Sequence, residues 1–575
     1  DWSSDVCSSD LHRLTWALAA ALDLVSIGYD VGNAFAEAPW GESEPFYMEV
    51  DDQFQEWWTQ CLGNERIPDG YVIPILHALQ GHPEAPRLWD KYVTKIITEE
   101  MGFKATTHEP CLYFKYGDDG IELILRQVDD FKISAKNVDI CNKIKDMLQA
   151  RMTFPLNKLG VIKKFNGIYV KQTRHYTLLN CEKYIEKVIG HHGWTQEHFA
   201  NKPTPMNCYN QYLTEIQTAK GPEEEKEKKA LEKKNGFSYR QLLGELIYAY
   251  TICRLDIAVP IITLSQHAGA PADVHYKALK QVAMYLYATK HHGITYWRQK
   301  PRMDLEDIPH YGTVSKQDQL FKYGDTYGAL ELHGACDSTW ASDRSQRRSM
   351  GGIVLMLAGG AVYYRTHLQP TVALSSTEAE FTTMADAGKA ALYIRWIMDE
   401  INCAQKQTTT IKVRNEQHLP PEIVKPIPIK ADNVGAIKIA TAQQPTRRVK
   451  HVEMKYFAML QWTEDKYVEY EYTNSATNYS DSLSKINGST KHHEHFDISM
   501  GRQRPLYAIQ LNVSKSTVNK CTLDYIIKMK SLVDKTKEKT TTCSGHSTYS
   551  NLDMEKKTVQ ENFFPDFRFC KCGGV

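Results

Sequence analysis

Asp129 and Asp130 stand between an apolar run, ELILRQV, and a strand-like FKISA, so two adjacent carboxylates fall at the tight turn of a buried hairpin. Asp30 repeats the placement, ending the apolar segment LVSIGYD just before VGNAF. Carboxylates at the ends of buried strands repel one another and lose hydration, a costly arrangement unless cations compensate. Two hard divalent ions would offset that cost. Mg²⁺ prefers oxygen ligands and works with a substrate's phosphates, and a pair of such ions stabilises both the attacking and the leaving oxygen in phosphoryl transfer. An adjacent Asp pair is also a common plain surface turn, and Asp51-Asp52 and Asp118-Asp119 read as polar loops of that kind in the same chain.

The rest of the chain is long enough to surround such a site with several cores. Its 575 residues allow three or four globular units, and a hydrophobic share of 42% with 24% charged residues excludes wholesale disorder and a many-pass membrane protein. Thirteen cysteines, an odd number scattered singly, fit reduced cytosolic or nuclear thiols better than a secreted disulfide framework. The apolar stretch at residues 14–22 is shorter than the ~20 residues a spanning helix needs, so no membrane segment is expected. Residues 1–11 (DWSSDVCSSDL) look like a translated sequencing-library adapter and are set aside from the fold reading. Lys+Arg and Asp+Glu cancel at 69 each, but residues 140–194 are locally basic, which suits a polyanionic partner.

Strand-like and helix-like segments alternate over residues 12–137, predicting an α/β unit. The mixed-charge run at 223–234 (EEEKEKKALEKK) reads as a solvated helix or tether. Helical periodicity over 237–289 predicts two or three packed helices. From Tyr327 a second α/β unit is expected, with strands near 329–336, 352–357 and 361–365 and a long helix over 376–401. Beyond 487 the chain is rich in Lys, Ser and Thr and is expected to be loosely ordered. This second unit carries its own acids. Asp337 closes the strand-like GAC, Glu380 lies in SSTEAEF at the start of the long helix, Asp432 follows the alternating IPIKA, and Asp481 lies in NYSDSLSK. Strand ends and helix beginnings are suited to converging on shared metal ions.

The blocks DVGNAFAEAP, ALQGHPEAPRLW, GFKATTHEPCLYFKY and RQVDDF, in this order, resemble the palm of reverse transcriptases from copia-type LTR retrotransposons. ACDSTWASDRSQRRSMGGIV, QPTVALSSTEAEF, KADNVGAI, RRVKHVEMKY and YSDSLSK resemble the ribonuclease H domain of the same elements. The resemblance implies a multidomain α+β and α/β chain. Residues 12–210 would form a reverse-transcriptase palm and thumb with truncated fingers, 211–236 a charged linker, 237–326 a helical connection, 327–487 a ribonuclease H-like mixed-sheet domain, and 488–575 a tail.

By the same resemblance Asp30, Asp129 and Asp130 are metal-binding catalytic aspartates, and Phe35 is the aromatic that crowds the sugar 2′ position and selects deoxynucleotides. Gln80 and Gly81 would lie against the incoming nucleotide and template. Asp337, Glu380, Asp432 and Asp481 are the nuclease's metal ligands, with Glu378 the rival to Glu380, and His451 has a role near the scissile strand or in gripping substrate. Plain readings stand beside these: Phe35 as core, Gln80-Gly81 as a turn, and His451 as a surface or packed residue. The implied cofactor is Mg²⁺, two ions per active site, with Mn²⁺ as a substitute. Implied partners are an RNA template, a DNA primer, an RNA–DNA hybrid and deoxynucleoside triphosphates, with no membrane. The setting would be cytoplasmic, within a virus-like particle, or nuclear.

Departures from the family pattern are local. Gln127 stands where the family has Tyr, and Pro83-Glu84 where it has Lys-Gln. The basic fingers strands expected before Asp30 are missing. Three readings follow: polymerase plus hybrid nuclease, nuclease alone, and a non-catalytic chain that binds nucleic acid through its basic surfaces.

Overall fold

The computed structural model describes residues 4–41, 47–194, 204–311, 327–403, 406–407, 423–441 and 453–509. Residues 512–575 lie outside the described residues.

The chain enters through α1 (Ser4–Ala21), an Ala- and Leu-rich helix, and passes directly into β1 (Val25–Val31). Residues 4–11 of the stretch set aside on sequence grounds lie within this helix, and Leu11 is already buried. A small hairpin sheet, β2 (Tyr47–Glu49) with β3 (Val72–Pro74), flanks α2 (Asp52–Gln60), and α3 (Ala85–Lys95) follows. Next come β4 (Lys104–Ala105), β5 (Leu112–Gly117), β6 (Gly120–Gln127), β7 (Asp130–Ala135), α4 (Val138–Gln149) and β8 (Leu156–Val161). With β1 these strands form a six-stranded antiparallel sheet in the order β4-β5-β6-β7-β1-β8.

The period-two alternation of a strand decides which core each side chain joins. Leu123 and Leu125 of β6 face the cluster that contains α1, whereas Ile124 joins Ile27, Phe131 and Ile133 in the cluster under α3 and α4. Burying both faces explains why the strands read as near-continuous apolar runs.

A second, four-stranded sheet is built from β9 (Lys164–Phe165), β10 (Ile168–Gln172), β11 (Tyr176–Asn180) and β12 (Gly293–Trp297), in the order β12-β11-β10-β9. Between β11 and β12 lie α5 (Glu182–His191), α6 (Asn210–Thr218), α7 (Glu225–Asn235), α8 (Tyr239–Ile252), α9 (Ala258–Ser265) and α10 (Asp273–Ala288). The mixed-charge run forms α7, which buries none of its residues, while Ile216 of α6 is fully buried. The helical segment does not stay apart from the sheet before it, because β12 pairs with β11 from Tyr176↔Trp297 to Asn180↔Gly293. All five residues of β12 are buried, so this return strand completes the earlier sheet rather than opening a new unit.

The third sheet contains β13 (His333–Thr339), β14 (Met350–Leu357) and β15 (Gly360–Leu368), an antiparallel meander, followed by α11 (Ser376–Glu400). The short strands β16 (Lys406–Gln407) and β17 (Ile423–Val424) pair with each other. Then come β18 (Ile427–Ala431), α12 (Val434–Thr441), α13 (Glu453–Glu464) and β19 (Val468–Tyr472). The sheet order is β15-β14-β13-β18-β19, with β18 parallel to both neighbours. A 3-10 helix (Tyr479–Leu483), α14 (Ser489–Ser499) and the short α15 (Leu506–Ile509) close the described chain. Loose order from residue 488 onward does not describe α14: Phe496 and His495 are buried, so hydrophobic contact, not composition, sets where packing ends.

The first and third sheets touch through α11. Glu400 accepts hydrogen bonds from the Thr107 backbone N–H at 2.7 Å, and its Oε1 lies 2.9 Å from His108 Nδ1. Tyr116 donates to the Ile401 carbonyl at 2.7 Å. Among the described residues no helix is long and apolar enough to cross a membrane.

Candidate active sites

Backbone register places the first acids. Asp30 pairs with Asp130 across the β1/β7 ladder, and Gln127 pairs with Asp130 across β6/β7, leaving Val128 and Asp129 as a two-residue turn. Val128 takes φ +56°, a rare conformation for a β-branched residue. Trp89, buried on α3, holds this turn by donating from Nε1 to the Val128 carbonyl at 2.7 Å, and the Val31 N–H donates to the Asp129 carbonyl at 3.1 Å. Burial, then the charges of Asp129 and Asp30, raises Asp130 above the usual carboxylate range. The three acids are therefore neighbours electrostatically. Asp129 is exposed and Asp30 and Asp130 are half-buried, and their oxygens do not all come within 4.8 Å of one another.

Phe35 sits on a 3-10 turn (Ala34–Glu37), half-buried against the core beneath β1. Gln80 and Gly81 are exposed in the turn before α3, where Gly81 has φ +95°, a conformation that favours glycine. Gln127 is turned to other work, its Oε1 lying 3.3 Å from His12 Nε2 on α1.

The second set of acids converges. Parallel pairing of β13 with β18 matches Gly334 to Ile429 and Ala335 to Lys430, and the same offset carries Asp337 alongside Asp432 just past the end of β18. Glu380, in the first turns of α11, points back at this strand end. Ligand oxygens of Asp337, Glu380 and Asp432 all lie within 4.8 Å of one another. Asp337 is 1% exposed and Glu380 5% exposed, so both pay heavily for ionisation.

Burial raises Glu380 well above the carboxylate range, with the charges of Asp337 and Asp432 adding to it. Burial likewise raises Asp337; Lys485 opposes the shift, and Asp481 and Asp432 reinforce it. Glu380 Oε1 accepts from the Ser338 N–H at 3.0 Å, while its Oε2 is buried with no hydrogen-bond partner among the described residues. Ser475 donates to Asp432, and Ser484 donates to Asp337.

Asp481 reaches the pocket by a different route. Gly352, paired with Asp337 across β13/β14, lies where an added Cβ would come within 2.6 Å of the Leu483 carbonyl carbon. Glycine there lets the 3-10 helix pack against the strand and bring Asp481 beside Asp337. Burial works to raise Asp481, but Lys485, Lys491 and Asn487 hold it below its ordinary value. Lys491 is at 2.8 Å, Asn487 Nδ2 donates at 2.7 Å, and Lys485 is in direct contact.

The geometry separates the two rival glutamates. Glu378 takes part in the N-terminal cap of α11: its N–H donates to Ser375 Oγ at 3.2 Å and its Oε2 accepts from the Leu374 N–H at 2.8 Å. Glu380 alone of the two reaches the acids. His451, with Arg447, Arg448 and Lys450, lies outside the described residues. Sequence reasoning missed Lys485, although its i+4 spacing from Asp481 in DSLSK was a readable signal. It also missed the hydrogen bond from Trp89 that fixes the hairpin turn.

Residues 1–207 match the family model described as reverse transcriptase (RNA-dependent DNA polymerase). The retrovirus-related Pol polyprotein from transposon TNT 1-94 of Nicotiana tabacum is 24% identical over 477 residues, covering 82% of this chain and 31% of that polyprotein. The putative transposon Ty5-1 protein of Saccharomyces cerevisiae is 25% identical over 364 residues, covering 62% of this chain and 98% of that protein. Among solved structures, foamy viral protease-reverse transcriptase in complex with dsDNA aligns with a TM-score of 0.37 at 14% identity, over 78% of this chain and 68% of that one. This chain thus spans under a third of the tobacco polyprotein and nearly all of the yeast protein. With the acid-bearing hairpin inside the matched residues, the chain belongs to the reverse-transcriptase-bearing Pol polyproteins of copia-type LTR retrotransposons.

Proposed function

We propose that the chain carries two phosphoryl-transfer centres, an RNA-directed DNA polymerase at Asp30, Asp129 and Asp130 and a ribonuclease H at Asp337, Glu380, Asp432 and Asp481. The observation that carries this reading is the convergence of Asp337, Glu380 and Asp432 around a buried, unpartnered Glu380 oxygen. A cluster of desolvated carboxylates stabilises nothing by itself, and an all-oxygen donor set suits Mg²⁺, with Mn²⁺ as a substitute. The residues fit the ion: Asp337, Glu380 and Asp432 would hold it in the pocket, and the three aspartates of the hairpin would hold it there. Bound divalent ions supply charge neutralisation on the phosphodiester and a more acidic attacking hydroxyl or water.

The protein's own groups do the rest. The Ser338 N–H and the strand ends fix the orientation of Glu380 and Asp337, so little reorganisation is needed when substrate arrives. Lys485 and Lys491 balance Asp481 and present positive charge beside the acids, where a scissile strand's phosphates would lie. In the hairpin, Trp89 holds the Val128 turn and keeps Asp129 and Asp130 at the strand end. Exposed Lys143, Lys158, Lys163, Lys164, Lys171 and Lys187 would contact the backbone of a template–primer duplex or RNA–DNA hybrid without reading sequence. Phe35 would gate the sugar of an incoming deoxynucleoside triphosphate, and Gln80 and Gly81 would line its pocket. Action in the cytoplasm, within a virus-like particle, or in the nucleus completes the proposal.

Nuclease activity alone is the second reading. It is favoured by the looser hairpin, whose three acids do not converge within 4.8 Å while those of the pocket do. Cleavage of a labelled RNA–DNA hybrid and primer extension on poly-rA, both with Mg²⁺, separate the readings. Asp432→Asn should lower cleavage by more than ~100-fold, the range already reached when a ligand's outer partner is lost, and leave extension intact. Asp130→Asn should do the reverse. Absence of extension in the unsubstituted chain leaves the nuclease reading, and absence of both activities removes the proposal.

A further inference from the structure

We propose that His191, His192 and Glu245 form a site for a divalent metal ion of the zinc class, separate from both acid centres. The three residues bring two imidazole nitrogens and a carboxylate together with all ligand atoms within 4.8 Å of one another. His192 Nε2 lies 2.7 Å from Glu245 Oε2, and His191 Nδ1 lies 3.4 Å from Glu245 Oε1. Ligand atoms that each sit about 2.0–2.2 Å from a tetrahedral zinc lie roughly 3.3–3.6 Å apart, so the His191–Glu245 contact already has that spacing and the His192–Glu245 contact needs only a small opening.

Local structure builds this arrangement. His191 is the last residue of α5 and His192 its C-terminal cap, and Gly193, at φ +63°, turns the chain away immediately afterwards. Both rings are thereby left at one helix end, directed to the middle of α8. The His192 ring is held rigidly, stacked on Trp194 at 4.9 Å between centroids and edge-on to Phe237 at 6.2 Å. Glu245 is fixed through its helix: Tyr184 of α5 donates to the Glu245 carbonyl at 3.1 Å, and the Tyr184 and Tyr248 rings meet at 4.6 Å. A site held by locked rotamers binds with little ordering cost.

The donor set chooses the metal. Imidazole suits zinc and its late first-row neighbours, whereas Mg²⁺ favours carboxylate, carbonyl and water oxygens. Two histidines with one carboxylate give three protein ligands and leave a fourth position open. Gln241, one turn before Glu245 on α8, places its amide Nε2 3.3 Å from both His191 Nδ1 and Glu245 Oε1. Amide oxygen and nitrogen exchange places by a half-turn of the group, so Gln241 can offer an oxygen to that fourth position. His192 is 7% exposed and Glu245 18%, while His191 is 61% exposed, so the site is anchored on its inner side and open to solvent on its outer side. A metal there would cross-link α5 to α8, tying the helix after the second sheet to the helical segment that follows.

The test uses the full chain, stripped with chelator and dialysed against Zn²⁺ in millimolar Mg²⁺, with bound metal counted by mass spectrometry. His191→Ala, at the most exposed ligand, should leave the fold intact and weaken one zinc per chain by at least about 10-fold; Glu245→Gln should remove the same single equivalent. Cobalt(II) in the unsubstituted chain should give the visible bands of nitrogen and oxygen coordination, and these should be lost in Glu245→Gln and should need at least about 10-fold more cobalt in His191→Ala. Equal zinc content in the unsubstituted chain and both variants, or cobalt bands unchanged by them, would overturn the site and leave His192–Glu245 as a plain hydrogen-bonded pair. Neither result depends on catalysis, so the outcome is independent of the proposed polymerase and nuclease.

Discussion

The hairpin site and the buried pocket solve one electrostatic problem in two ways. In the hairpin, antiparallel register sets Asp30 opposite Asp130, and the turn carries Asp129 out to water, where its charge is hydrated and screened. In the pocket, parallel strands and a helix start press Asp337 and Glu380 into the interior beside Asp432, and a lysine partly balances them. Water carries the cost of like charge in the first case, and protons and Lys485 carry it in the second. The hairpin leaves its acids within reach of water. In the buried pocket, burial favours the protonated forms of Glu380 and Asp337 until a cation arrives, so stability and ion affinity are linked there.

The largest expected effect tests that contrast directly. Glu380→Gln keeps the Ser338 hydrogen bond and removes the ionisable proton, so without divalent ions at pH 8 it should stabilise the chain. The gain should be on the order of 1–3 kcal/mol, since each unit of upward shift in a carboxylate represents about 1.4 kcal/mol. The sign follows from proton counting. A carboxylate raised in the folded state binds more protons there than in the unfolded chain, so its contribution is fully present below the unfolded value near 4 and is lost as pH rises through the folded value. The stability that Glu380 contributes to the ion-free chain should therefore fall as pH rises from 5 to 9, read as the difference in thermal stability between the unsubstituted chain and Glu380→Gln across that range. Asp129→Asn, at an exposed turn, should change stability by less than about 0.5 kcal/mol. Equal effects from the two substitutions would erase the distinction between the sites.

The positions of most of these acids were legible in the sequence for a local reason, whereas the difference in their burial was not. Asp30, Asp129, Asp337 and Asp432 each follow a run of strand-forming apolar residues, so their positions at strand ends could be read from neighbours alone. Helical geometry showed that Glu378 and Glu380 cannot share one face but did not choose between them; the structure puts Glu378 in the cap of α11. What stayed hidden depends on partners distant in the chain. No local pattern announces that β12 returns to pair with β11, or that His191 and His192 meet Glu245 from another helix. The hydrogen bond from Trp89 to Val128 joins residues that pattern reading treats separately, one as core and one as turn.

That bond supports a second, smaller prediction confined to the hairpin. Trp89→Phe keeps an aromatic in the core and removes the Nε1 donor, leaving the buried side of the Val128 turn without its partner. The loss of stability should be about 1 kcal/mol, the net worth of a typical hydrogen bond. Primer extension should fall more than this stability change alone accounts for, because Asp129 and Asp130 flank the loosened turn, while hybrid cleavage should stay unchanged. Parallel losses in both activities would mean that the two sites are not mechanically separate, and would direct attention to the α11 contact at Thr107 and Glu400.

The smallest effect concerns the lysine that makes the pocket unlike the hairpin. Lys485 contacts Asp481 and lies 3.9 Å from Asp337, yet it is 40% exposed, so solvent screens much of its attraction. Lys485→Met keeps the aliphatic stem and removes the charge. Without divalent ions the loss should stay within ~0.5–1 kcal/mol, the range of partly exposed ion pairs, and Lys491 and Asn487 should continue to hold Asp481. The ammonium and an incoming Mg²⁺ compete for the same carboxylates, so the substitution should lower the Mg²⁺ concentration that half-saturates cleavage by about 2- to 5-fold, the equivalent of that energy. A higher Mg²⁺ requirement would instead mean that Lys485 grips the phosphate backbone and that its contact with Asp481 is incidental. The direction of the shift thus decides whether the lysine is a substitute for the ion or a partner of the substrate.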